Sequence, residues 1–407
     1  MIALLLSCEA PTCDSGQKFN ADGLCVQDTG RPPEADADTD SDSDSDSDSD
    51  TGSDSVPDSA ADTADSGSDT ADPGDTADSG GDTGPVELVV ESFDLSATLG
   101  SGAAWYGLSI AADGTAWGAT SAGLSRFHPS TGNAWLYGTA DGLYTADPRA
   151  VVAHGDGTVW VGHHADDSRQ GEHFQPNADG TLTALGLVDF DETSEITGVY
   201  RMREQPYGVG AGDVWMGTNE GLCLWDADLD VFQEHAHPTH PHSYSRGVAF
   251  TEEGDAWNGD EYQLSRWRYT NDGDLSTSAD LYEYWVPWPV DVEVPIYIVD
   301  LDAADGIVWA ASSVYGYARV DVAADAGASV TTLFDEPSSV LAIRVYNDTV
   351  LLGTADGLFV HDIASAIVTS WTGDAVLGDP IQQIAVDSAG NAWFTVPGGL
   401  VRASGAI

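Results

Sequence analysis

The stretch Val214-Trp215-Met216-Gly217-Thr218-Asn219-Glu220-Gly221-Leu222 decides the fold, because versions of it recur through the last three quarters of the chain. Each version places one large apolar residue inside a short strand-like run. The recurring large residues are Trp117, Trp160, Trp215, Trp257, Trp309, Leu351 and Trp393. Their spacing is 42 or 43 residues in four steps and 52 or 55 residues in two. A repeat near 42 residues with strand-like content is typical of β-propeller blades, so seven blades are predicted.

The first repeat shows how the residues of one blade form four strands. Strands are predicted at 107–111, 116–119, 124–127 and 134–137, because turn residues separate these apolar runs. Asp-Gly pairs between the runs supply the positive φ that tight hairpins need. The second strand carries Trp117, and we expect this residue and its equivalents to pack between neighbouring blades.

The two ends of the repeat region complement each other. The seventh repeat ends at Val401-Arg402-Ala403, after its third strand, whereas the strand-like run Val86–Leu95 precedes the first repeat and has no partner. Because closure of the ring removes exposed strand edges, we expect 86–95 to supply the missing fourth strand. The predicted fold class is all-β: a seven-bladed β-propeller closed by an N-terminal strand and preceded by a disordered acidic linker.

Composition divides the 407 residues, whose formal net charge is −55, into four segments. These are a signal peptide remnant at 1–7, an anchor segment with a small loop at 8–33, an acidic linker at 34–85 and the propeller at 86–407. The linker holds 18 acidic residues, no basic residue and no aromatic residue, so it should stay extended and disordered as a stalk. Calcium capture by its Asp-Ser run is the alternative, but the turn glycine and bidentate glutamate of a calcium loop are missing.

The propeller segment is also acidic, with 46 acidic residues, 11 arginines and no lysine. Such a surface lacks the basic footprint of proteins that bind nucleic acid or anionic lipid, so neither partner is expected there. No run of 18 apolar residues occurs, so no transmembrane helix is predicted. We expect a monomer that meets a membrane only through a lipid anchor.

The N-terminus carries the candidate anchor. Leu5-Leu6-Ser7-Cys8 resembles a bacterial lipobox, in which the cysteine is acylated after the preceding residues are removed. The resemblance implies an exported protein, anchored through Cys8 at the outer membrane or cell surface of a bacterium. The apolar run before Ser7 has five residues after the initial methionine, 2–6, fewer than the usual run of about 7–15, so we expect the true start codon to lie upstream. A chance cysteine in an unrelated apolar start is the alternative.

The other three cysteines have different predicted roles. In an exported chain, Cys13 and Cys25 can close a small disulfide loop. Cys223 has no neighbouring histidine or lysine in its strand that would activate the thiol. We therefore interpret Cys223 as a small buried hydrophobe rather than a reactive thiol.

Ligand contacts are expected on the face that carries the loops between second and third strands and between successive blades, because those loops surround one end of the central channel. The predicted ligand-binding residues in or beside these loops are His163, His164, His173, Asp260, Glu261, Trp285 and Trp288. The two tryptophans would offer a stacking platform for sugar rings. Packing between the fourth and fifth blades is the alternative for them.

A histidine-rich connection between the third and fourth blades is the candidate metal site. Its histidines are His235, His237, His240 and His242. Imidazoles two and three residues apart in an extended loop can converge on Zn²⁺, Ni²⁺ or Cu²⁺. The alternative is a solvent-exposed connection that binds no ion. No other cofactor is suggested, and no catalytic residue is identified.

One run of motifs links the first and second repeats to a known family. It comprises Trp135-Leu136-Tyr137, then Asp141-Gly142-Leu143, then Asp156-Gly157-Thr158-Val159-Trp160-Val161-Gly162. An aromatic strand, a Gly-Leu loop and an Asp-Gly turn before Trp-x-Gly-Thr resemble the two-component regulator propeller repeat. The resemblance covers about 320 residues and implies a propeller that serves as an extracytoplasmic sensor and binds saccharides.

The predicted function is a binding module that presents its loop rim to a glycan, a peptide or a partner protein. The alternative is a metal-dependent enzyme. Asn391-Ala392-Trp393-Phe394-Thr395, followed by Leu400-Val401-Arg402, is similar to repeats of streptogramin lyases, which use a metal, histidine and glutamate. We find no matching histidine and glutamate pair, so the binding module is favoured. A purely structural surface protein is a third hypothesis.

Overall fold

The computed structural model describes residues 17–19, 25–27, 89–164, 171–188, 196–208, 210–227, 231–236, 244–268, 281–285, 287–288, 295–322 and 329–405. The chain divides into two units, one of which is Cys13–Gly84. In that unit the described strands β1 (Gln17–Phe19) and β2 (Cys25–Gln27) pair antiparallel. The described part of the other unit forms seven four-stranded sheets.

Each of these sheets is one antiparallel blade, and the first strands of successive blades contact one another around a central channel. The strands of blades one to three are β4 (Trp105–Ile110), β5 (Ala116–Thr120), β6 (Gly123–His128), β7 (Asn133–Tyr137); β8 (Pro148–Ala153), β9 (Val159–His163), β10 (Gly171–Pro176), β11 (Leu182–Val188); β12 (Val199–Glu204), β13 (Val214–Thr218), β14 (Gly221–Asp226) and β15 (Val231–Ala236).

The remaining four blades follow the same plan. Their strands are β16 (Gly247–Phe250), β17 (Ala256–Gly259), β18 (Leu264–Arg268), β19 (Leu281–Trp285); β20 (Ile298–Ala304), β21 (Ile307–Ser312), β22 (Gly316–Asp321), β23 (Val330–Phe334); β24 (Ala342–Tyr346), β25 (Thr349–Thr354), β26 (Gly357–Asp362), β27 (Val368–Ser370); β28 (Ile384–Val386), β29 (Ala392–Val396), β30 (Gly399–Ser404) and β3 (Val89–Asp94). A short helix, α1 (Ser96–Leu99), and a 3₁₀ turn at Thr139–Asp141 complete the described elements.

The N-terminal strand closes the ring, as predicted. β3 pairs antiparallel with β30, from Val89 opposite Ser404 to Asp94 opposite Gly399. Its Phe93 ring lies 5.7 Å from the Trp393 ring of the same blade and 5.0 Å from the Phe127 ring of the first blade. The seventh blade therefore depends on a strand that is more than 300 residues away in the chain.

The recurring large residues form the core between blades, which confirms their predicted role. Trp117 packs with Val151, Val161 and Phe174 of the second blade, and each of the other six joins an equivalent apolar cluster with the next blade. Trp215, Trp257 and Trp393 are completely buried. Replacing a tryptophan of this kind by alanine costs about 3–5 kcal/mol, so each repeat residue joins its blade firmly to the next.

Four blades place an arginine opposite the tryptophan on the neighbouring strand. The pairs are Trp117–Arg126, Trp257–Arg266, Trp309–Arg319 and Trp393–Arg402. Each guanidinium carbon lies 5.3–5.9 Å from the tryptophan ring centroid. This is cation–π geometry, worth about 0.5–1 kcal/mol at partly exposed positions.

The glycine of the Trp-x-Gly motif lets the next blade approach. A Cβ atom on Gly217 would lie 2.4 Å from the Ser245 carbonyl oxygen, and one on Gly259 would lie 2.3 Å from Ile298 Cγ2. Neither distance is compatible with a side chain, so these positions need glycine. No helix in the described ranges has the length and apolar character needed to cross a lipid bilayer.

Candidate functional site

The first strand of a blade begins with an irregularity that turns one side chain toward the end of the channel. The strand register shifts between Trp105 and Gly107, between Pro148 and Ala150, and between Val199 and Arg201. A shift of this kind leaves one residue out of the pairing and re-aims its side chain. The residues left out are Tyr106, Arg149 and Tyr200. The bulge also explains why β4 begins at Trp105, two residues before the predicted strand.

The fourth blade contributes an equivalent residue. Arg246 immediately precedes β16 and donates its backbone N–H to the Gly259 carbonyl oxygen, beside the pair Gly247–Gly259. Tyr244 lies two residues earlier in the same connection. We call the set Tyr106, Arg149, Tyr200, Tyr244 and Arg246 the channel mouth.

Aromatic and cationic groups alternate around the channel mouth. The guanidinium carbon of Arg149 lies 4.1 Å from the Tyr106 ring centroid. That of Arg246 lies 5.6 Å from the Tyr200 ring and 5.5 Å from the Tyr244 ring. The two tyrosine rings are 5.5 Å apart and meet edge to face. Ring faces and guanidinium donors from four blades are thus presented side by side.

The two arginines of the channel mouth differ in their partners. Arg149 donates two hydrogen bonds to Asp147 Oδ2, at 3.1 Å from Nε and 2.7 Å from Nη2. No residue in the described ranges accepts a hydrogen bond from the Arg246 guanidinium, although its Nε is buried. Burial and the neighbouring Tyr244 raise the pKa of Tyr200, so its hydroxyl stays protonated and can donate at neutral pH.

Further along the channel, charged residues of three blades meet in a buried network. Arg201 donates from Nη1 to Gln383 Oε1 at 2.6 Å, from Nη2 to the Val299 carbonyl at 3.1 Å and from Nε to the Arg246 carbonyl at 3.0 Å. Its Nη2 also lies 3.4 Å from Asp300 Oδ1. One guanidinium therefore connects four blades. We call Arg201, Arg203, Asp300, Asp302 and Arg344 the channel network.

The other members complete the charge balance of the channel network. Arg344 Nη1 donates to Asp300 Oδ2 at 2.6 Å, and Arg203 Nη1 donates to Asp302 Oδ1 at 2.9 Å. Burial disfavours the charge on Asp300, but the three guanidinium groups outweigh it and lower the pKa of this carboxyl. Burial, together with the charge of Arg203, lowers the pKa of Arg344 to about 10. Asp300 and Arg344 are therefore charged at neutral pH and form an ion pair.

A cavity of about 330 Å³ lies in the channel. The first strands of the first three blades form most of its wall. Its charged lining consists of Arg201, Arg203, Glu204, Asp302 and Arg344. The cavity also reaches Tyr106 and Tyr200. Two residues of the channel mouth and four residues of the channel network therefore border one space.

Two of the predicted rim residues lie beside the channel mouth. The His164 ring centroid is 6.1 Å from that of Tyr200. Glu261 is half-buried, and burial raises the pKa of its carboxyl, against the opposing charge of Arg246. Its neighbour Asp260 is buried and accepts hydrogen bonds from the backbone N–H groups of Tyr262 and Gln263. Asp260 thus organises a turn.

The side chains of His163 and His173 make their contacts within the second blade. His163 is completely buried, and its Nε2 lies 2.5 Å from Glu172 Oε2. His173 stacks on Trp160, with ring centroids 4.0 Å apart, and its Nε2 lies 2.7 Å from Thr158 Oγ1. His173 is the residue opposite Trp160 on the neighbouring strand, so it stands where four other blades have arginine. The structure does not bring these two histidines together with Glu261.

Trp288 is buried against the fourth and fifth blades. This agrees with the alternative interpretation, in which it packs between these blades instead of contacting a ligand. It belongs to the apolar cluster that includes Trp257 and Ile298, and its Nε1 donates to the Tyr315 carbonyl oxygen at 3.0 Å. Trp285 ends β19, opposite Leu264.

The candidate metal site falls mostly outside the described residues. His237, His240 and His242 lie outside them, and His235 is on β15, opposite Leu222. Within the described ranges, no group of three or more His, Cys, Asp or Glu side chains is placed to hold a metal ion.

The predicted anchor and disulfide are likewise mostly outside the described part of the chain. Cys8, Cys13 and the linker lie outside it, and Cys25 begins β2, opposite Phe19. Cys223 is buried in the apolar cluster between the second and third blades, which confirms its interpretation as a small hydrophobe.

The spacing of the repeats contains a signal for the channel mouth that lies outside the recurring tryptophan motif. Tyr106, Arg149 and Arg246 each stand eleven residues before the large residue of their blade. In an alignment of the repeats on those tryptophans, these three residues occupy one column. In the third blade, Tyr200, which immediately precedes Arg201, holds the same structural position.

No protein-family model matches this sequence, and no curated protein matches it. Solved structures do match. Virginiamycin B lyase from Staphylococcus aureus has a TM-score of 0.58 at 13% identity, over 78% of this chain and 99% of that one. A streptogramin B lyase has a TM-score of 0.57 at 15% identity, over 78% and 97%.

A third match is the extracellular domain of a putative hybrid two-component system from B. thetaiotaomicron. Its TM-score is 0.55 at 16% identity, over 74% of this chain and 39% of that one. At such identities the likeness shows the fold alone. It agrees with the resemblance of the repeats to the two-component regulator propeller family.

Proposed function

We propose that this protein is an exported binding module that takes its ligand at the channel mouth. The observation that carries the proposal is the convergence of Tyr106, Arg149, Tyr200 and Arg246 from four separate blades. Ring faces and guanidinium donors at one end of a channel are groups that orient small polar ligands. The ligand classes that suit them are glycans and the polar segments of a partner protein.

The rest of the chain supports an extracytoplasmic location for this module. The lipobox-like Leu5–Cys8 would attach the protein to the outer membrane or cell surface through Cys8. The linker at 34–85 would act as a stalk, since its 18 acidic residues repel one another. The likeness to the extracellular domain of a two-component system supports the same location.

A thermal-shift screen tests the proposed function. The full chain would be heated with a panel of neutral and acidic oligosaccharides and short peptides, because a ligand that favours the folded state raises the melting temperature. We expect at least one member to raise it in the wild type and not in Tyr106→Ala/Tyr200→Ala. Tyr207→Ala is the matched control, since Tyr207 is 45% exposed and outside the channel mouth.

Three results would count against the proposal. If no member of the panel raised the melting temperature of the wild type or of the Tyr207→Ala control, a structural role would be favoured. A shift that survives in Tyr106→Ala/Tyr200→Ala would move the ligand to another part of the surface. Chelator-sensitive turnover of a substrate would favour the alternative, a metal-dependent enzyme similar to the streptogramin lyases.

A further inference from the structure

We infer that the channel mouth selects a saccharide with a single acidic group, whose carboxylate or sulfate pairs with Arg246 while a sugar ring packs on the flanking tyrosines. The inference rests on the proposed function and adds the charge and the class of the ligand.

The first argument is that the Arg246 guanidinium has no hydrogen-bonding or ion-pair partner among the described residues. A guanidinium carries five N–H donors, yet that of Arg246 is in contact with the rings of Tyr200 and Tyr244 and only near the carboxyl group of Glu261. Its Nε is buried without an acceptor, as is that of Arg126, but Arg126 donates from Nη1 to the Asn177 carbonyl oxygen and the Arg246 guanidinium donates to no described residue. Buried donors are normally satisfied, so an unsatisfied one needs an explanation. An oxygen-rich group of a ligand would provide the missing acceptors.

The second argument is the contrast with the other channel arginines. Arg149 is bound by Asp147, Arg203 by Asp302 and Arg344 by Asp300. The propeller has 46 acidic residues against 11 arginines, so carboxylates are abundant. A guanidinium at the end of the channel that makes no direct ion pair with a described carboxylate favours an anion that comes from outside. Planar carboxylate and sulfate groups fit the fork of an arginine with two parallel hydrogen bonds.

The third argument concerns the uncharged part of the ligand. Tyr200 and Tyr244 flank Arg246 and present aromatic surface against which the C–H face of a sugar ring can pack. None of the described residues hydrogen-bonds to the hydroxyl groups of Tyr106, Tyr200 or Tyr244. These hydroxyls are therefore available to the hydroxyl groups of a saccharide.

The fourth argument limits the charge to one acidic group. The propeller carries a large excess of negative charge, which repels a polyanion at long range. Glu261 lies near Arg246, and Asp147 pairs with Arg149. Of the two mouth arginines, Arg246 is the one that makes no direct ion pair with a described carboxylate. A second or third acidic group on the ligand would meet carboxylates instead.

Isothermal titration calorimetry on the full chain tests the inference with matched probes. The first is a trisaccharide that bears one galacturonate, and the second is the methyl ester of the same trisaccharide, which keeps the rings and loses the charge. We expect the ester to bind about 10- to 100-fold more weakly, as for loss of a hydrogen bond to a charged group. Fully ionised trigalacturonate should bind more weakly than the singly charged probe.

Variants assign the effect to Arg246. Arg246→Gln should weaken binding of the acidic trisaccharide about as much as esterification does, and should weaken binding of the ester much less. Arg246→Lys keeps the charge without the fork and should lose only part of the affinity. Arg126→Gln is the control, because Arg126 stacks on Trp117 between blades. Melting temperatures would show that each variant is folded.

The possible results separate this inference from the proposed function. Equal affinity for acid and ester, or no effect of Arg246→Gln, would overturn the inference and leave a binding module for neutral ligands. If trigalacturonate bound more tightly than the singly charged trisaccharide, the inference that the site selects a single acidic group would be overturned. Absence of binding by every probe would also overturn the inference, while the thermal-shift panel of neutral saccharides and peptides decides the proposed function by itself.

Discussion

Arg201, in the third blade, donates a hydrogen bond of 2.6 Å to Gln383 Oε1 in the seventh blade, across the central channel. The two residues are 182 positions apart in the chain. Through the same guanidinium the third blade also binds backbone carbonyl groups of the fourth and fifth blades. The ring is therefore held from its centre as well as through the apolar clusters between adjacent blades.

The first prediction concerns this central contact. Arg201→Met should lower the free energy of unfolding by roughly 3 kcal/mol, because it leaves the buried Asp300 with less compensating charge. Arg319→Met is the control, since its ion pair with Asp321 is at the surface and should contribute about 1 kcal/mol or less. Urea denaturation measures both. Equal losses would contradict a stabilising role for the channel network.

The second prediction concerns ring closure. Deleting residues 86–95 removes β3, exposes the edge of β30 and uncovers Trp393. We expect the melting temperature to fall by at least about 10 °C, as a loss of several kcal/mol would produce in a domain of this size. Phe93→Ala should give a smaller fall in the same direction. An unchanged melting temperature after the deletion would show that the ring does not need this strand.

The third prediction separates a structural His173 from a ligand-binding one. His173→Arg should preserve stability, because it restores the arginine that faces tryptophan in four other blades. His173→Ala should cost about 1–2 kcal/mol through loss of the ring stack and the bond to Thr158. Thermal denaturation of the two variants measures the difference. A ligand whose affinity falls in both variants would instead assign His173 to binding.

The fourth prediction is a dependence of stability on pH. Burial opposes protonation of His154, but the Gly212 carbonyl and the carboxylates of Asp156 and Glu204 outweigh it and raise the pKa of this imidazole. The stabilisation is therefore complete below the ordinary histidine pKa of about 6.5 and is lost as the pH rises through the raised folded-state value.

The measurement compares the wild type with His154→Gln between pH 5.5 and 8.5, a window set about the ordinary histidine value. The stability advantage of the wild type should be largest at the acidic end and should shrink as the pH increases. Arg319→Met is the control, because the stability that this variant loses should not vary with pH across this range. An advantage that grows toward alkaline pH would contradict the assignment.

The blades could be predicted from the sequence because every blade of a propeller packs against the next one in the same way. Each large residue, such as Trp215 or Trp309, fills the same gap between sheets, and Gly217 marks the close approach of the next blade. The closing strand was predictable because the last repeat lacks a fourth strand, whereas an unpaired strand-like run precedes the first repeat. These features repeat at a fixed interval, and the interval is visible without coordinates.

The candidate site was much harder to predict, because it depends on what differs between repeats. Tyr200 and Arg246 are 46 positions apart and meet only because a bulge re-aims Tyr200 at the start of its strand and Arg246 immediately precedes the first strand of the next blade. The histidines stood out by composition, yet His163 is paired with Glu172 and His173 replaces a structural arginine. An unusual residue type in one repeat therefore indicated a local substitution inside the blade.

The most direct test of the account is a crystal structure of the full chain with the oligosaccharide that gives the largest thermal shift. We predict ligand density at the channel mouth, with a sugar ring against Tyr200 and an acidic group within hydrogen-bonding distance of Arg246. Density confined to the outer strands of a blade, with an empty channel mouth, would contradict the central claim.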